Sequence, residues 1–320
     1  MSLHIREFEE RDYGRIAEIA LAAEPERRRD ADWFRQRDAA MGAHIRNQRF
    51  VAELDSTLAG WGDLFNTWWM YHPRKFQLRL NVHPDFQGQG VGSAIYTRLM
   101  QNDWSPSRIN SEARETRPHS ATFLEHRGFV EVARRWEASL TVADAPLDRL
   151  PAATARIGAH GIRIASMVDE RQRRGDAAFT RELYDLEQLT YLDEPGYDPE
   201  STLQFDQFVT HELDPSVFIE DASYVAVDGE RMVGLSRMER NRARPRHLHV
   251  GFTGTHPDYR GRGIAFALKL HGIEYARRHD YIEISTTNDS TNTPMLRVNA
   301  ALGFQRLPAW IVLEKHFPDD

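Results

Sequence analysis

The chain has 320 residues and no cysteine, which excludes disulfides, thiolate metal sites and a cysteine nucleophile and removes any need for an oxidising compartment. It also lacks any apolar run near the roughly 18 residues that a membrane-spanning helix needs. Residues 1–10 alternate polar and apolar side chains without the apolar stretch of a signal peptide. A cytoplasmic location with no membrane partner is the resulting expectation. Positive charge is not in excess either: 41 basic side chains face 48 acidic ones, for a net charge of −7. Residues 1–150 hold 21 basic and 22 acidic side chains, residues 151–320 hold 20 and 26. That balance argues against a nucleic-acid partner and favours a cationic ligand on the second half.

What is present is a soluble globular composition, 41% hydrophobic and 28% charged. The length exceeds one ordinary core and fits two of about 150 residues each. A repeat supports this division. His83-Pro84-Asp85-Phe86-Gln87-Gly88-Gln89-Gly90-Val91-Gly92 returns 173 positions later as His256-Pro257-Asp258-Tyr259-Arg260-Gly261-Arg262-Gly263-Ile264-Ala265. Asp55 maps onto Asp228 at the same offset, and Gly128-Phe129 onto Gly303-Phe304 at 175. Three landmarks in one order imply two copies of one domain, expected at 1–145 and 161–320 with a partly helical linker at 146–160 that buries Leu147, Leu150 and Ile157.

Periodicity gives the same element order in each copy. The first reads as a strand at 3–8, helices at 13–23 and 33–43, a hairpin at 50–65 turning at Asp55-Ser56 and a strand at 76–82. The loop follows, then a helix at 90–103, a strand at 109–115, a helix at 119–127 and a strand at 129–142. The second reads as a strand at 161–167, helices at 179–192 and 202–213, a hairpin from 224 turning at Asp228-Gly229 and a strand at 247–255. After its loop come a helix at 263–278, a strand at 281–287, a helix at 293–302 and a strand at 304–317. The expected class is therefore α/β with an α+β type mixed sheet: two tandem domains, each a mostly antiparallel mixed sheet flanked by helices.

In each copy a strand runs into the glycine loop and a helix opens out of it, so backbone N–H groups and the positive end of the helix dipole face one spot, which suits a phosphate. The spacing is not G-x-G-x-x-G, and antiparallel hairpins precede both loops, which argues against a dinucleotide fold. The pattern Arg/Gln-x-x-Gly-x-Gly/Ala, met by Gln87, Gly88, Gln89, Gly90, Val91 and Gly92 and by Arg260, Gly261, Arg262, Gly263, Ile264 and Ala265, resembles the GNAT superfamily of acyl-CoA-dependent N-acyltransferases. The resemblance covers nearly the whole chain as two copies. It implies acetyl-CoA as cofactor, its pyrophosphate on these loops, its pantetheine arm in a V between splayed strands, and an oxyanion-polarising backbone N–H near Val82 and Thr255. Because Arg260 and Arg262 stand where the first copy has Gln87 and Gln89, the second copy is expected to bind the cofactor more tightly.

The helix beginning near Thr293 resembles the family's pattern further. Asn288 and Asn292 are implied contacts of the cofactor, and Asn299 stands where many members place a tyrosine acid, able to donate a hydrogen bond to sulfur. The first copy has Arg117 and Leu124 at the positions of Asn292 and Asn299, so it is expected to be a scaffold or cofactor-binding copy and the second the catalytic one. An incoming ammonium must lose a proton before it attacks. His247 and His249, on one face of the strand before the loop, are candidate bases, with Glu283 the next choice. Tyr191, Asp193, Glu194 and Tyr197, with Asp198 and Glu200 nearby, suit capture of a cation. Trp61, Trp68, Trp69 and Tyr71 read as packing. No metal site is expected.

The resulting expectation is direct transfer of an acetyl group to a primary amine of a small molecule or peptide by a monomer or homodimer. The alternative is a non-catalytic acyl-CoA-binding regulatory or interaction protein.

Overall fold

The computed structural model describes residues 2–27, 29–67, 71–195, 203–241 and 244–318. They form two compact units. The first comprises residues 1–113, 117–132 and 312–320, the second residues 114–116 and 133–311.

In chain order the first unit contains β1 (Leu3–Glu7), α1 (Tyr13–Ala23), α2 (Ala31–Ala39), β2 (Asn47–Leu54), β3 (Thr57–Asn66), β4 (Lys75–Val82), α3 (Val91–Leu99), β5 (Arg108–Arg114) and α4 (Pro118–Glu125). Its strands lie in the order β1-β2-β3-β4-β5. All neighbours are antiparallel except β4 and β5, which run parallel. Tyr13, Ile16, Ala17, Ile19 and Ala20 repeat at helical spacing on α1 and pack with Phe34, Val51 and Trp61 into one core.

The second unit follows the same plan. β6 (Val130–Thr141) enters it, followed by α5 (Leu150–Gly158), β7 (Ile162–Ser166), α6 (Met167–Arg174), α7 (Asp176–Tyr191) and α8 (Phe205–Gln207). Next come β8 (Tyr224–Asp228), β9 (Arg231–Arg240), β10 (His247–Thr255), α9 (Ile264–Arg278), β11 (Glu283–Asp289), α10 (Thr293–Ala301) and β12 (Gln305–His316), whose residues 312–316 belong to the first unit. The strand order is β6-β11-β10-β9-β8-β7, with β10 and β11 the parallel pair. One face of this sheet buries Leu248, Val250 and Ile284 against Leu270, Ile273 and Ala276 of α9. Phe179, Leu183 and Leu186 of α7 pack against Val225, Val227, Leu235 and Phe252. The mixed, mostly antiparallel α/β class expected from periodicity is the class observed.

Several local expectations need correction. The helix expected to run to residue 103 ends at Leu99, because the Asn102 side chain turns back on the Leu99 carbonyl at 2.6 Å and accepts from the Trp104 amide. The helix expected at 202–213 is the short α8 followed by a wide π-type turn over Phe208–Glu212. Helix α6 has no counterpart among the expected elements: its Arg-rich sequence has little apolar periodicity, and buried Glu170 holds it together by ion pairs with Arg163, Arg173 and Arg174. The counterpart of Asp55 in the second hairpin is Gly229 rather than Asp228. Leu54 pairs with Thr57 around a turn led by Asp55 (φ 47°), whereas Asp228 pairs with Arg231 around one led by Gly229 (φ 55°).

One repeated device seats the helix that follows each loop. A Cβ on Gly60 would stand 2.9 Å from Val91 Cγ1, and one on Gly234 only 2.7 Å from Ile264 Cγ2. Bare backbone there lets α3 and α9 lie close against their sheets.

Candidate active site

The two loops share their hydrogen bonds as well as their sequence. His83 Nδ1 accepts from the Asp85 amide and His256 Nδ1 from the Asp258 amide, each at 3.3 Å. The side chains of Gln87 and Arg260 both fold back to the last strand carbonyl, that of Val82 or Thr255, at 3.2 Å. Gln89 and Arg262 both reach the carbonyl of the loop aspartate at 3.0 Å. The chain then turns through left-handed Gly90 (φ 83°) or Gly263 (φ 90°), and neither helix start has a side-chain cap. First-turn N–H groups have no partner inside a helix, so both starts present open donors. A Cβ added at Gly88, Gly90 or Gly261 would meet nothing within 4 Å, so that space is open to a ligand.

Beside each loop the parallel strands part. β4 and β5 stay paired only as far as Gln77 and Asn110, although β4 continues to Val82. β10 and β11 stay paired as far as Val250 and Thr286, although β10 continues to Thr255. In the second unit the parting coincides with a bulge in β10 between Val250 and Phe252, against β9. No register shift interrupts the β3–β4 ladder of the first. The His256 amide bonds to Val233 on β9, and backbone direction alternates along a strand. The amides of Thr255 and Thr253 therefore turn toward the edge that β11 has left. Val82 has the same orientation in the first unit, because the His83 amide bonds to Ala59 on β3.

His249 lies one rung before this parting, whereas His247 and Glu283 form the first rung, at the far end of the ladder. His247 faces Glu283 across the ladder, with its Nδ1 3.3 Å from Glu283 Oε1. His249 Nδ1 is 3.0 Å from Ser285 Oγ, which also reaches the Leu248 carbonyl at 3.3 Å. Ser285 has one hydroxyl proton. Donated to Leu248, it leaves Oγ to accept from Nδ1–H and makes Nε2 the basic nitrogen of His249. Burial pushes the His249 pKa below its ordinary value, aided by Lys269 and opposed by Glu239 and Glu137, so the ring is neutral near pH 7.

The other expected contacts are placed differently. Asp193, read as an acceptor contact, instead pairs with Arg260 at 2.8 Å, which draws part of that charge away from the helix mouth. Asn292 caps α10 by accepting from the Met295 amide and donates to Glu194 at 3.3 Å. Tyr191 stacks on Phe252 with ring centres 4.7 Å apart, and burial raises its pKa. Tyr197, like Asp198, Glu200, Trp68 and Trp69, lies outside the described residues. Asn299 is buried, and its amide group is spoken for: Oδ1 accepts from Lys269 Nζ at 2.6 Å and Nδ2 donates to Asn288 Oδ1 at 2.7 Å.

Lys269 and a buried carboxylate group carry no signal in the sequence pattern and emerge only in the fold. Lys269 sits in an otherwise apolar stretch of α9, and burial brings its pKa down to about 7. At the corresponding first-copy positions, Tyr96, Leu124 and Ala113 replace Lys269, Asn299 and Asn288, so this polar chain belongs to the second unit alone. A buried ammonium is penalised fully below its folded pKa, where it is charged in both states, and not at all above the unfolded pKa near 10.4. Lys269→Met is therefore expected to stabilise the chain by about 1–3 kcal/mol at pH 6 and progressively less toward pH 10. Thermal melts across that range check it.

On the opposite face, Arg237 is 1% exposed and meets Glu187 through two hydrogen bonds of 3.0 Å. It also meets Glu212 at 2.5 Å and Glu239 at 3.8 Å. Burial pushes Glu187 up to about 7 against the pull of Arg237, with Glu212 and Glu239 adding like charge. Three carboxylates around one guanidinium explain this, because one of them gains by holding a proton. Glu239 pairs across from His249 and its carboxylate fills the space a Gly251 side chain would need. It therefore lies against the bulge, a quarter exposed.

Two glycine-opened helix starts, each beside a parting parallel strand pair, define a tandem α/β protein with two sets of open backbone donors. Residues 180–304 match the Acetyltransferase (GNAT) family, and residues 46–131 the Acetyltransferase (GNAT) domain. The chain belongs to the GNAT family, with two GNAT domains in tandem. Among its relatives are proteins named mycothiol acetyltransferase from Saccharomonospora viridis, 24% identical over 71% of this chain and 70% of the relative, and from Pseudarthrobacter chlorophenolicus, 24% identical over 72% and 67%. Its fold is similar to a tandem GNAT protein from the clavulanic acid biosynthesis pathway (TM-score 0.73, 18% identity, all of both chains). It is also similar to a GCN5-related N-acetyltransferase from Sphaerobacter thermophilus (TM-score 0.71, 16% identity, 98% of this chain and 95% of the other).

Proposed function

We propose that the protein is an acetyl-CoA-dependent N-acetyltransferase that acetylates a primary amine of a small molecule or peptide, and that the second unit carries the reaction. The observation that carries this reading is the coincidence, in that unit, of the uncapped start of α9 with the β10 bulge at which β10 leaves β11. Acetyl-CoA would supply the activated acyl group and a thiol leaving group.

The first-turn amides of α9, with Arg260 and Arg262 beside them, suit the linked phosphates. The free strand edge at Thr253 and Thr255 suits the amide-bearing arm, and backbone N–H donors there can stabilise developing negative charge on oxygen. His249 Nε2 accepts the ammonium proton, directly or through water, and Glu239 and Glu212 attract the cation on the same face. Asn299 gives its one placed donor to Asn288, so no side chain is assigned as acid to the departing thiolate. A thiol with a pKa of about 8.5 leaves adequately without one. The absence of cysteine favours direct attack by the amine.

The test is thiol release from acetyl-CoA by the intact chain with a panel of polyamines, amino acids, aminoglycosides, amino sugars and peptides. Amine-dependent release with formation of the acetylated amine supports the proposal. Binding of acetyl-CoA with no release under any amine would favour the non-catalytic reading instead.

A further inference from the structure

The first unit contains a buried polar group that the proposed reaction does not use. Arg49, Asp63 and Arg79 are direct cross-strand neighbours on β2, β3 and β4, so they share one face of the sheet. Arg37 of α2 reaches Asp63 Oδ2 at 2.7 Å and Arg49 reaches it at 3.3 Å, while Arg49 also pairs with Asp38 at 2.8 Å. Arg29 pairs with Glu24 at 3.6 Å and Arg27 with Glu112 at 2.6 Å. Arg79 is left over. Its guanidinium lies 4.7 Å over the Phe65 ring and 5.8 Å over Trp33, and its buried Nη1 has no hydrogen-bond partner among the described residues.

Aromatic faces recover only part of the cost of burying a guanidinium. Burial holds Arg79 well below its usual pKa, with Arg29, Arg37 and Arg27 adding like charge and Asp63 opposing. Five more buried atoms lack partners among the described residues here: the donors Arg37 Nη1, Arg49 Nε and Trp61 Nε1 and, as acceptors, Asp63 Oδ1 and Gln77 Oε1. Gln77 is two residues from Arg79 on β4, hence on the same face, at the last rung before β5 departs. Native interiors rarely leave such groups unpaired. The residue corresponding to Arg79 in the second copy is Phe252, so the feature is not part of the repeated fold.

We propose that this face of the first unit is a binding site for a small carboxylate that carries its own N–H donors, an α-amino acid being the simplest. The carboxylate accepts from Arg79 Nη1 and Arg37 Nη1. The ammonium donates to Asp63 Oδ1 and Gln77 Oε1. The first unit is then a ligand-binding copy whose preference differs from that of the carboxylate-lined second copy.

Calorimetric titration of the intact chain with glycine, alanine, serine and glutamate, and with acetate, ethylammonium and inorganic phosphate, tests this. Saturable binding of at least one amino acid, with acetate and ethylammonium at least tenfold weaker, is expected. Arg79→Gln should lose that binding by tenfold or more while keeping the wild-type circular dichroism spectrum. Equal binding of acetate, binding of ethylammonium or phosphate alone, or no binding of any probe to the wild-type chain overturns the proposal, whatever the variant's stability. None of these results bears on thiol release in the second unit, so the two proposals fail separately.

Discussion

Replacing Gly261 and Gly263 together by valine is expected to lower kcat/KM for acetyl-CoA by about a hundredfold or more, about 3 kcal/mol or more at the transition state, while the same change at Gly88 and Gly90 leaves most turnover intact. Gly261 and Gly263 hold φ values of 77° and 90°, a left-handed region that β-branched residues avoid. A valine at either site forces the loop to rearrange and projects methyl groups into the space that opens at the start of α9. The N–H groups there cannot be replaced by a side chain, so no compensating contact is available. Steady-state kinetics with acetyl-CoA as the varied substrate separates the two loops. Equal loss from both would move the reaction away from the second unit alone.

Arg237→Met is expected to destabilise the chain by about 3–5 kcal/mol near neutral pH, because it removes one partner of a buried charge group and strands the others. Glu187 is fully buried and, without the guanidinium, faces Glu212 and Glu239 as like charges. The loss should shrink as pH falls. Burial already raises the Glu187 pKa, and protonating a carboxylate with a raised folded pKa removes the unfavourable charge, so the penalty is largest above that pKa and lost below the unfolded value near 4.3. Thermal melts of variant and wild type from pH 5 to 8 give the comparison. A constant difference across that range would show that the carboxylates are not the cause.

Much of this architecture is legible in the sequence, because it rests on local rules. The two loops announce themselves by glycine spacing, and their flanking strands and helices by periods that need no long-range information. The bulge also left a signal. Gly251 stands between the apolar Val250 and Phe252 in the middle of β10, and a glycine inside a strand commonly marks a bulge.

Pairing across the fold was not legible. Lys269 interrupts an apolar helix as a surface lysine would, and its contacts with Asn299 on α10 and with the Phe304 ring appear only in the folded chain. Arg237 reads as an outward residue of a strand until Glu187 of α7, fifty positions earlier, is found against it. Asp193 looks like one of several acceptor carboxylates, yet its charge goes to Arg260. Sequence pattern says which residue types lie near one another along an element. It does not say which of two nearby opposite charges a carboxylate will choose.

If the backbone start of α9 and the parted edge of β10 hold the cofactor as proposed, amide hydrogen exchange of the intact chain with and without coenzyme A will report it. Slower exchange confined mainly to residues 261–266 and 252–255 of the second unit is predicted on binding. Saturating coenzyme A that leaves those amides unchanged, with protection elsewhere in the chain, would contradict it.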